Sequence, residues 1–256
     1  MRGGWHHPLV FLCALAVPGA PWAACPTDVQ APLARVNRVT DGDTLVLENQ
    51  TKIRLLGLNA PEISHPGKAG EPLGEDARSR LQALVAESGQ RVRWRTDEET
   101  TDRYGRRLAF LYSPDGRDLG ERLLEEGLAW HIVVPPNTAH DTCLREAEDR
   151  ARTARRGVWA QKNPVPSARS LGRSTDGFFR LVSGTVTRIV QARQTVGLEV
   201  DNTLMLWVHR DDLPAFGGDQ PDRWAGRRVE ARGWLQSGRD GPRMTVRHPA
   251  MLHRVN

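Results

Sequence analysis

The sequence predicts a β-rich α+β domain followed by a second, smaller all-β domain. Apolar and polar residues alternate between Gly-, Asn- and Asp-rich turns from residue 34 to 59, which is typical of strands. Apolar residues then recur at helical spacing, and alternation returns after a stretch rich in Pro and Ser. With 256 residues, 39% hydrophobic and 26% charged, the composition argues against a wholly disordered chain, a collagen or a multi-span membrane protein.

The first domain is predicted to span residues 25–160 and to mix strands with three helices. The predicted strands are 34–40, 44–48, 52–58, 90–95 and 107–112, and the predicted helices are 74–87, 118–129 and 142–155. The first helix illustrates the pattern, since Ala77, Leu81 and Leu84 recur every three or four residues.

A linker is predicted over residues 161–176, which contain Pro164 and Pro166. The second domain, residues 177–256, then contains five strand-like segments. They are 180–190, 195–201, 203–209, 227–236 and 242–248. This number of short strands is typical of a small barrel or sandwich and is compatible with an OB-like barrel.

Residues 1–24 are predicted to be a signal peptide for export. Arg2 precedes an apolar run over residues 8–18, and small residues follow before the expected cleavage site. The run is too short to span a membrane. An uncleaved anchor is the alternative, whereas Trp22 argues against a lipoprotein site at Cys25. No later stretch is long enough to span, so we expect a periplasmic or secreted protein without stable membrane association.

Cysteine usage supports export. Cys13 lies inside the predicted signal peptide, so the mature chain retains Cys25 and Cys143. In an oxidising compartment these two are a candidate disulfide, which would close a long loop and contribute roughly 2–4 kcal/mol. Two unpaired thiols are the alternative.

Four fragments of the first domain match one known family in order and spacing. They are Asp41-Gly-Asp-Thr44, Arg54-Leu-Leu-Gly-Leu-Asn-Ala-Pro-Glu62, Asp102-Arg-Tyr-Gly-Arg106 and Gly127-Leu-Ala-Trp130. Together they resemble the staphylococcal nuclease (thermonuclease) family across residues 34–160. The resemblance implies a five-stranded OB-type barrel with three helices, and calcium-dependent hydrolysis of phosphodiester bonds in DNA and RNA.

Phosphodiester hydrolysis has chemical requirements that the matched residues can meet. A hard cation held by oxygen ligands polarises the phosphate. The resemblance assigns Asp43, Asn59 and the backbone carbonyl of Ala60 to the Ca²⁺ ion. A base must activate water, and Glu62 matches the family's glutamate in that role.

The remaining matches concern the phosphate and the nucleotide. Cations must hold the negative charge that develops during hydrolysis, and Arg54 and Arg106 match the family's two phosphate-binding arginines. Tyr104 matches a tyrosine of the nucleotide pocket. Each residue alone has an ordinary explanation, such as a turn cap for Asp43, but the ordered set favours the functional interpretation.

Two departures from the family pattern bear on activity. Asn59 stands where the family usually has a second metal-ligating aspartate, and calcium affinity tracks ligand charge. We therefore expect weaker metal binding than in the type member of the family. Residues 131–137 also lack the tyrosines that the family packs against a nucleotide base, for which Trp130 or His131 could substitute.

The second domain carries a hypothesis of nucleic-acid binding only. Residues 25–169 have no net charge, whereas residues 170–256 carry +4. Alternation assigns one set of residues to the outer face of two strands that could pair. The set consists of Arg228, Arg232, Trp234, Arg243 and Arg247. Arginines around a tryptophan are suited to single-stranded nucleic acid, and an ordinary solvated face is the alternative.

The sequence therefore predicts an exported Ca²⁺-dependent endonuclease that acts on DNA, RNA or both with little sequence specificity. The alternative is a catalytically weak or inactive nuclease-like module that binds nucleic acid in the cell envelope. A third possibility is an interaction module of the cell envelope with neither property. The sequence favours neither DNA nor RNA and predicts no oligomeric state.

Overall fold

The structure is a computed structural model that describes residues 24–171, 177, 179–238 and 241–255. Apart from Ala24, the predicted signal peptide lies outside the described residues, and so do residues 172–176 of the predicted linker. Within the described ranges, no helix has the length and apolar character needed to cross a membrane.

The first domain is a closed barrel with three α-helices. Its strands are β1 Leu33–Asp41, β2 Thr44–Leu47, β3 Lys52–Leu55, β4 Leu58–Asn59, β5 Arg91–Arg95, β6 Arg107–Tyr112 and β7 Trp130–His131. Its helices are α1 Gly74–Glu87, α2 Leu119–Glu125 and α3 Asp141–Thr153. The barrel order is β1-β2-β3-β6-β5, with β3 and β6 parallel, and β4 pairs with β7 outside it. The predicted five-stranded barrel with three helices is confirmed.

Sequence periodicity accounts for the core of this domain. In β3, Ile53 and Leu55 are buried while Lys52 is exposed and Arg54 is half-buried, as the period of two in a strand requires. Helix α1 buries a stripe that includes Leu81 and Leu84. The strands and helices therefore enclose a single apolar core cluster.

Helix α2 ends earlier than the predicted range 118–129. The carboxylate of Asp118 caps the N-terminus of α2 by accepting the backbone N–H groups of Gly120 and Glu121. The last residue of the helix is Glu125. Gly127 then adopts a φ of 70°, a left-handed conformation that favours glycine. A β-carbon at this position would lie 2.3 Å from the carbonyl oxygen of Arg156, so the chain leaves the helix at a point where only glycine fits.

The predicted disulfide between Cys25 and Cys143 is confirmed. It joins the segment before β1 to helix α3 across a sequence separation of 118. The N–H group of Cys25 also donates to the carboxylate of Glu121 at 3.1 Å. The N-terminal segment is thus attached to both α2 and α3.

The second domain is a single sheet of seven described strands. They are β8 Phe179–Gln191, β9 Thr195–Val200, β10 Leu204–His209, β11 Arg228–Trp234, β12 Gln236–Gly238, β13 Gly241–Val246 and β14 Leu252–Arg254. The sheet order is β12-β13-β10-β9-β8-β11-β14. The five long strands match the predicted segments, and β12 and β14 are short additions at the edges.

The second domain repeats the connections of the first. In both, three strands form an antiparallel meander, the third pairs in parallel with a later strand, and the first also pairs with another later strand. The difference is that β11 and β13 share no ladder; Gly233 of β11 instead lies against the side chain of Met244. The second domain is therefore all-β with OB-like connectivity and an open sheet.

The two domains pack together through α3 and β11. Arg232 of β11 donates to Glu148 of α3 at 2.7 Å, and Arg152 of α3 donates to Glu230 of β11 at 2.7 Å. Buried charges persist in such an interface because each has a partner. Trp159, which follows α3, joins the apolar core cluster of the second domain.

The predicted arginine strip on the second domain is wrong at its centre. Arg232 is only 4% exposed, because α3 covers the face of β11 that alternation alone assigned to solvent. Nor do β11 and β13 pair. Arg228, Arg243 and Arg247 are exposed and Trp234 is 36% exposed, but they do not form one surface with Arg232.

Part of the predicted linker packs on the second domain. The carbonyl of Pro166 accepts the N–H of Ser183 in β8 at 2.9 Å, and Ser167 donates to Asp201 at 3.2 Å. Ala168 is fully buried. Residues 166–168 therefore run beside the first part of β8, where Ser167 forms a parallel bridge with Ser183.

Candidate active site

Asp43 lies at the turn between β1 and β2, where its carboxylate is almost completely buried. Its Oδ2 accepts the N–H of Ala60 at 2.9 Å and lies 2.9 Å from Nη2 of Arg54. Its Oδ1 accepts the hydroxyl of Thr44 at 3.0 Å. The turn residue and the segment after β4 are therefore held together by one carboxylate.

Gly42 allows this close approach. A β-carbon on residue 42 would lie 2.6 Å from the β-carbons of both Ala60 and Ala77, a distance that packed atoms do not tolerate. The Asp-Gly-Asp turn can therefore press against the segment after β4 and against helix α1 only with glycine at its centre.

Arg54 of β3 points into the same cluster. Its Nη2 donates to the amide oxygen of Asn59 at 3.0 Å, while Nη1 donates to the carbonyl of Leu58 at 3.0 Å. The same Nη2 also faces Asp43. One guanidinium thus joins two of the three predicted metal-binding positions and is fixed in orientation by backbone acceptors.

Glu62 follows on the loop that leads to α1. Its side chain is exposed, yet its surroundings raise the pKa of the carboxyl, first through reduced hydration and then through repulsion by Asp43. A raised pKa brings a carboxylate closer to the range in which it is an effective base at neutral pH. The charge of Asp43 is therefore felt at Glu62, and the raised pKa shifts this carboxyl in the direction expected for a base.

Asp41 is a further acidic neighbour to which the sequence assigned no metal-binding or catalytic role. Its Oδ1 does accept the N–H of Asp43 at 3.0 Å, as in a cap. Burial, and next the charge of Asp43, raise the pKa of Asp41 to about 7. The Asp-x-Asp spacing at a tight turn was the signal that could have indicated this second carboxyl.

Arg106 and Tyr104 lie on a separate turn before β6. The carboxylate of Asp102 organises this turn, accepting the N–H of Tyr104 at 2.9 Å and Nε of Arg106 at 2.7 Å. Tyr104 is 67% exposed, and its ring is flanked by Arg103 and Arg106 at 4.8 and 5.5 Å. Among the described residues, no hydrogen bond or ion pair links this turn to Asp43, so the structure leaves Arg106 outside the buried cluster.

The oxygen atoms of the cluster fit a hard cation such as Ca²⁺. Asp43 offers a carboxylate, Asn59 an amide oxygen and Ala60 a backbone carbonyl, all of which belong to the ligand classes that Ca²⁺ prefers. The Ala60 carbonyl already accepts Nδ2 of Asn59 at 3.1 Å. The ligand set carries one formal negative charge, and Arg54 competes for two of its oxygens.

Neither predicted substitute for the missing tyrosines is available as a base-stacking surface at this site. His131 is 1% exposed, and its backbone N–H donates to the carboxylate of Glu148 at 2.7 Å beside the domain interface. The ring of Trp130 packs against Phe179 of the second domain, with centroids 5.7 Å apart. Both residues therefore serve the interface between domains, since the carbonyl of His131 also accepts Nη1 of Arg232 at 2.8 Å, which the sequence alone did not indicate.

Trp207 is an outward-facing aromatic residue that the sequence analysis missed. On β10 it alternates with buried neighbours, and its register partners are Gly197 and Thr245. Its indole lies over Gly197, since a β-carbon there would be 2.8 Å from the ring. Arg243 of β13 and Arg247, which follows β13, are exposed on the same outer face of the sheet. Neither has an ion-pair partner within the described ranges.

Comparison with known proteins supports the assignment of the first domain. A family model for staphylococcal nuclease homologues matches residues 52–161. A thermonuclease of Staphylococcus intermedius is 31% identical over 142 residues, covering 54% of this chain and 83% of that protein. A thermonuclease of Staphylococcus hyicus is 30% identical, covering 49% and 75%. Endonuclease YncB of Bacillus subtilis (strain 168) is 36% identical over 134 residues, covering 51% and 63%.

The two arginines are expected to differ in their contribution to stability. Replacing Arg54 by Gln leaves the buried Asp43 carboxylate without its cation, which costs about 3 kcal/mol in the free energy of unfolding. Replacing Arg106 by Gln, whose partner Asp102 keeps its backbone donors, costs less than about 1 kcal/mol. Urea unfolding of both variants with chelator present measures the difference, and equal losses would contradict the assignment.

Proposed function

Since the chain belongs to the staphylococcal nuclease family, we propose that it is an exported, Ca²⁺-dependent endonuclease that cleaves DNA, RNA or both with little sequence specificity. Family membership makes it a nuclease, a metal-dependent hydrolase whose substrate is nucleic acid. The observation that carries the finer proposal is the cluster in which Asp43, Arg54 and Asn59 meet beside Glu62.

The chain's own residues can be given roles in hydrolysis. Glu62 takes a proton from a water molecule, whose oxygen then attacks phosphorus as the bond to the leaving oxygen breaks. Arg54 and Arg106 bind the non-bridging phosphate oxygens and stabilise the charge that they gain. A Ca²⁺ ion held by Asp43, Asn59 and the Ala60 carbonyl would supply further polarisation of the phosphate. Tyr104 contacts the nucleotide.

Export is supported by two independent features of the chain. The first 24 residues have the order of a signal peptide, and the mature chain contains the Cys25–Cys143 disulfide. Disulfides persist in oxidising compartments such as the periplasm or the extracellular space. We accordingly place the mature protein in one of these compartments, without stable association with the membrane.

A second candidate function is nucleic-acid binding without cleavage. It is favoured by Asn59, which removes one negative ligand, and by the engagement of Arg54 with Asp43. The two functions differ in a single assay, because only the enzyme releases fragments from DNA or RNA in a Ca²⁺-dependent way.

Replacing Glu62 by Gln is expected to lower kcat for DNA hydrolysis about 100-fold or more, because the general base is lost while the residue keeps its shape. Fragment release is measured with added Ca²⁺ and again with chelator, which should abolish it. Glu48→Gln is the matched control, since Glu48 is an exposed glutamate whose side chain pairs with Arg35 and is not part of the cluster. Wild-type chain that binds DNA but never cleaves it would establish the second candidate instead.

Replacing Asn59 by Asp is expected to tighten Ca²⁺ binding about tenfold, because a carboxylate adds a negative charge to the ligand set. Calorimetric titration with Ca²⁺ alone measures the affinity, and the Ca²⁺ concentration for half-maximal hydrolysis should fall in parallel. Asn49→Asp, at the exposed turn between β2 and β3, controls for net charge. Equal Ca²⁺ affinity in wild type and Asn59→Asp would contradict the assignment of residue 59 as a ligand.

The second domain is proposed to hold single-stranded substrate through Trp207, Arg243 and Arg247 rather than through the predicted strip. An aromatic ring on the outer face can stack on a base, and exposed arginines can bind the phosphates around it. Trp207, Arg243 and Arg247 lie on the outer face of the sheet, whereas Arg232 is buried at the domain interface.

Replacing Trp207 by Ala is expected to weaken binding of a single-stranded oligonucleotide about tenfold, since stacking of one base contributes roughly 1–3 kcal/mol. Fluorescence anisotropy with chelator present measures the affinity without cleavage. Trp207→Phe keeps a π-face and should retain most of the binding. Unchanged affinity in Trp207→Ala would remove this surface from the proposal and leave the nuclease activity of the first domain unaffected.

A further inference from the structure

Glu71 anchors the loop that carries Glu62. The N–H of Glu62 donates to Oε2 of Glu71 at 3.0 Å, and the N–H of Glu71 donates to the carbonyl of Glu62 at 2.8 Å. These two bonds close the base of the loop between residues 62 and 71. The Glu71 side chain is only 9% exposed, so its carboxylate has little freedom to be solvated elsewhere.

The other oxygen of Glu71 is bound by the second domain. Oε1 of Glu71 accepts Nη1 of Arg180, which lies near the start of β8. The same Nη1 donates to the carbonyl of Phe179 at 2.8 Å, which fixes the guanidinium relative to its own strand. One carboxylate therefore joins the second domain to the backbone of the residue assigned as the base.

Phe179 makes a second connection to the site. Its ring is 2% exposed and packs between Trp130, with centroids at 5.7 Å, and Trp234, with centroids at 5.4 Å. Trp130 is the strand partner of Asn59 in the β4–β7 pair. The start of β8 thus contacts the elements that carry both Glu62 and Asn59.

We propose that Arg180 and Glu71 are positioning residues through which the second domain holds Glu62 in place for hydrolysis. The loop needs such an anchor because Glu62 and the residues from 64 to 69 are exposed. A carboxylate held at one oxygen by a guanidinium can rotate little, so its other oxygen stays directed at the Glu62 N–H. Small displacements of a reacting group cost rate without changing substrate affinity. The second domain therefore contributes to turnover as well as to substrate binding, and this part of the proposal rests on the nuclease function.

The test compares Arg180→Gln with Arg188→Gln in the mature full-length chain. Arg188 lies on the same strand and pairs with Glu199 at 2.8 Å, but it is exposed and contacts no residue of the loop. Arg180→Gln is expected to lower kcat about tenfold with KM unchanged, whereas Arg188→Gln should match wild type. Arg180→Lys, which keeps the charge, should recover part of kcat. In a Glu71→Gln background, Arg180→Gln should have little additional effect, because both residues act through one contact.

Hydrogen exchange of the Glu62 amide provides a readout that does not depend on activity. The amide should exchange faster in Arg180→Gln than in wild type or Arg188→Gln, while amides of the β3–β6 ladder keep their protection. Wild-type kcat together with wild-type exchange at Glu62 in Arg180→Gln would overturn the proposal. If the wild-type chain fails to hydrolyse DNA and RNA, the nuclease function falls, and faster exchange in Arg180→Gln would still show that Arg180 anchors the loop.

Discussion

The buried ion pair between Arg54 and Asp43 connects the parts of the chain from which the site is built. Asp43 lies at the turn after β1, Arg54 on β3, and Asn59 at the end of β4, and a single guanidinium contacts all three segments. Burying a charge without a partner costs several kcal/mol, so the pair stabilises the fold only as a complete unit. Asp43 is also assigned to the metal ion and Arg54 to the phosphate. The two charges that join these segments of the barrel are therefore also the charges that would contact metal and substrate.

At the domain interface, too, each buried charge has a partner of opposite sign. Helix α3 and strand β11 exchange the pairs Glu148–Arg232 and Arg152–Glu230, and apolar residues of the first domain join the core of the second. Charged residues that alternation assigns to solvent are thereby buried with partners. The interface also brings the start of β8 beside the loop of Glu62, which gives the second domain a structural connection to the site.

Asn59 shows how one residue changes the electrostatics of the cluster. An aspartate at this position would give Arg54 two carboxylates to neutralise, whereas Asn59 offers the guanidinium a neutral amide oxygen. The cluster is therefore closer to charge balance before any metal binds. A bound metal ion would receive less electrostatic stabilisation from it than from a cluster with two carboxylates. Asp41 and Glu62 add less negative charge than ordinary carboxylates do, because burial, and next the charge of Asp43, raises the pKa of each carboxyl.

Local patterns determined much of this protein from sequence alone. Alternation and helical spacing placed the barrel strands and the three helices, and the ordered fragments around Asp43, Arg54 and Glu62 identified the cluster, since turn and strand chemistry act over a few residues. Tertiary structure alone decided that Arg232 is buried, that Trp207 faces outward from the sheet, and that Arg180 reaches Glu71 across 109 positions. Which side of a strand meets solvent depends on what packs against it, and that partner is distant in sequence.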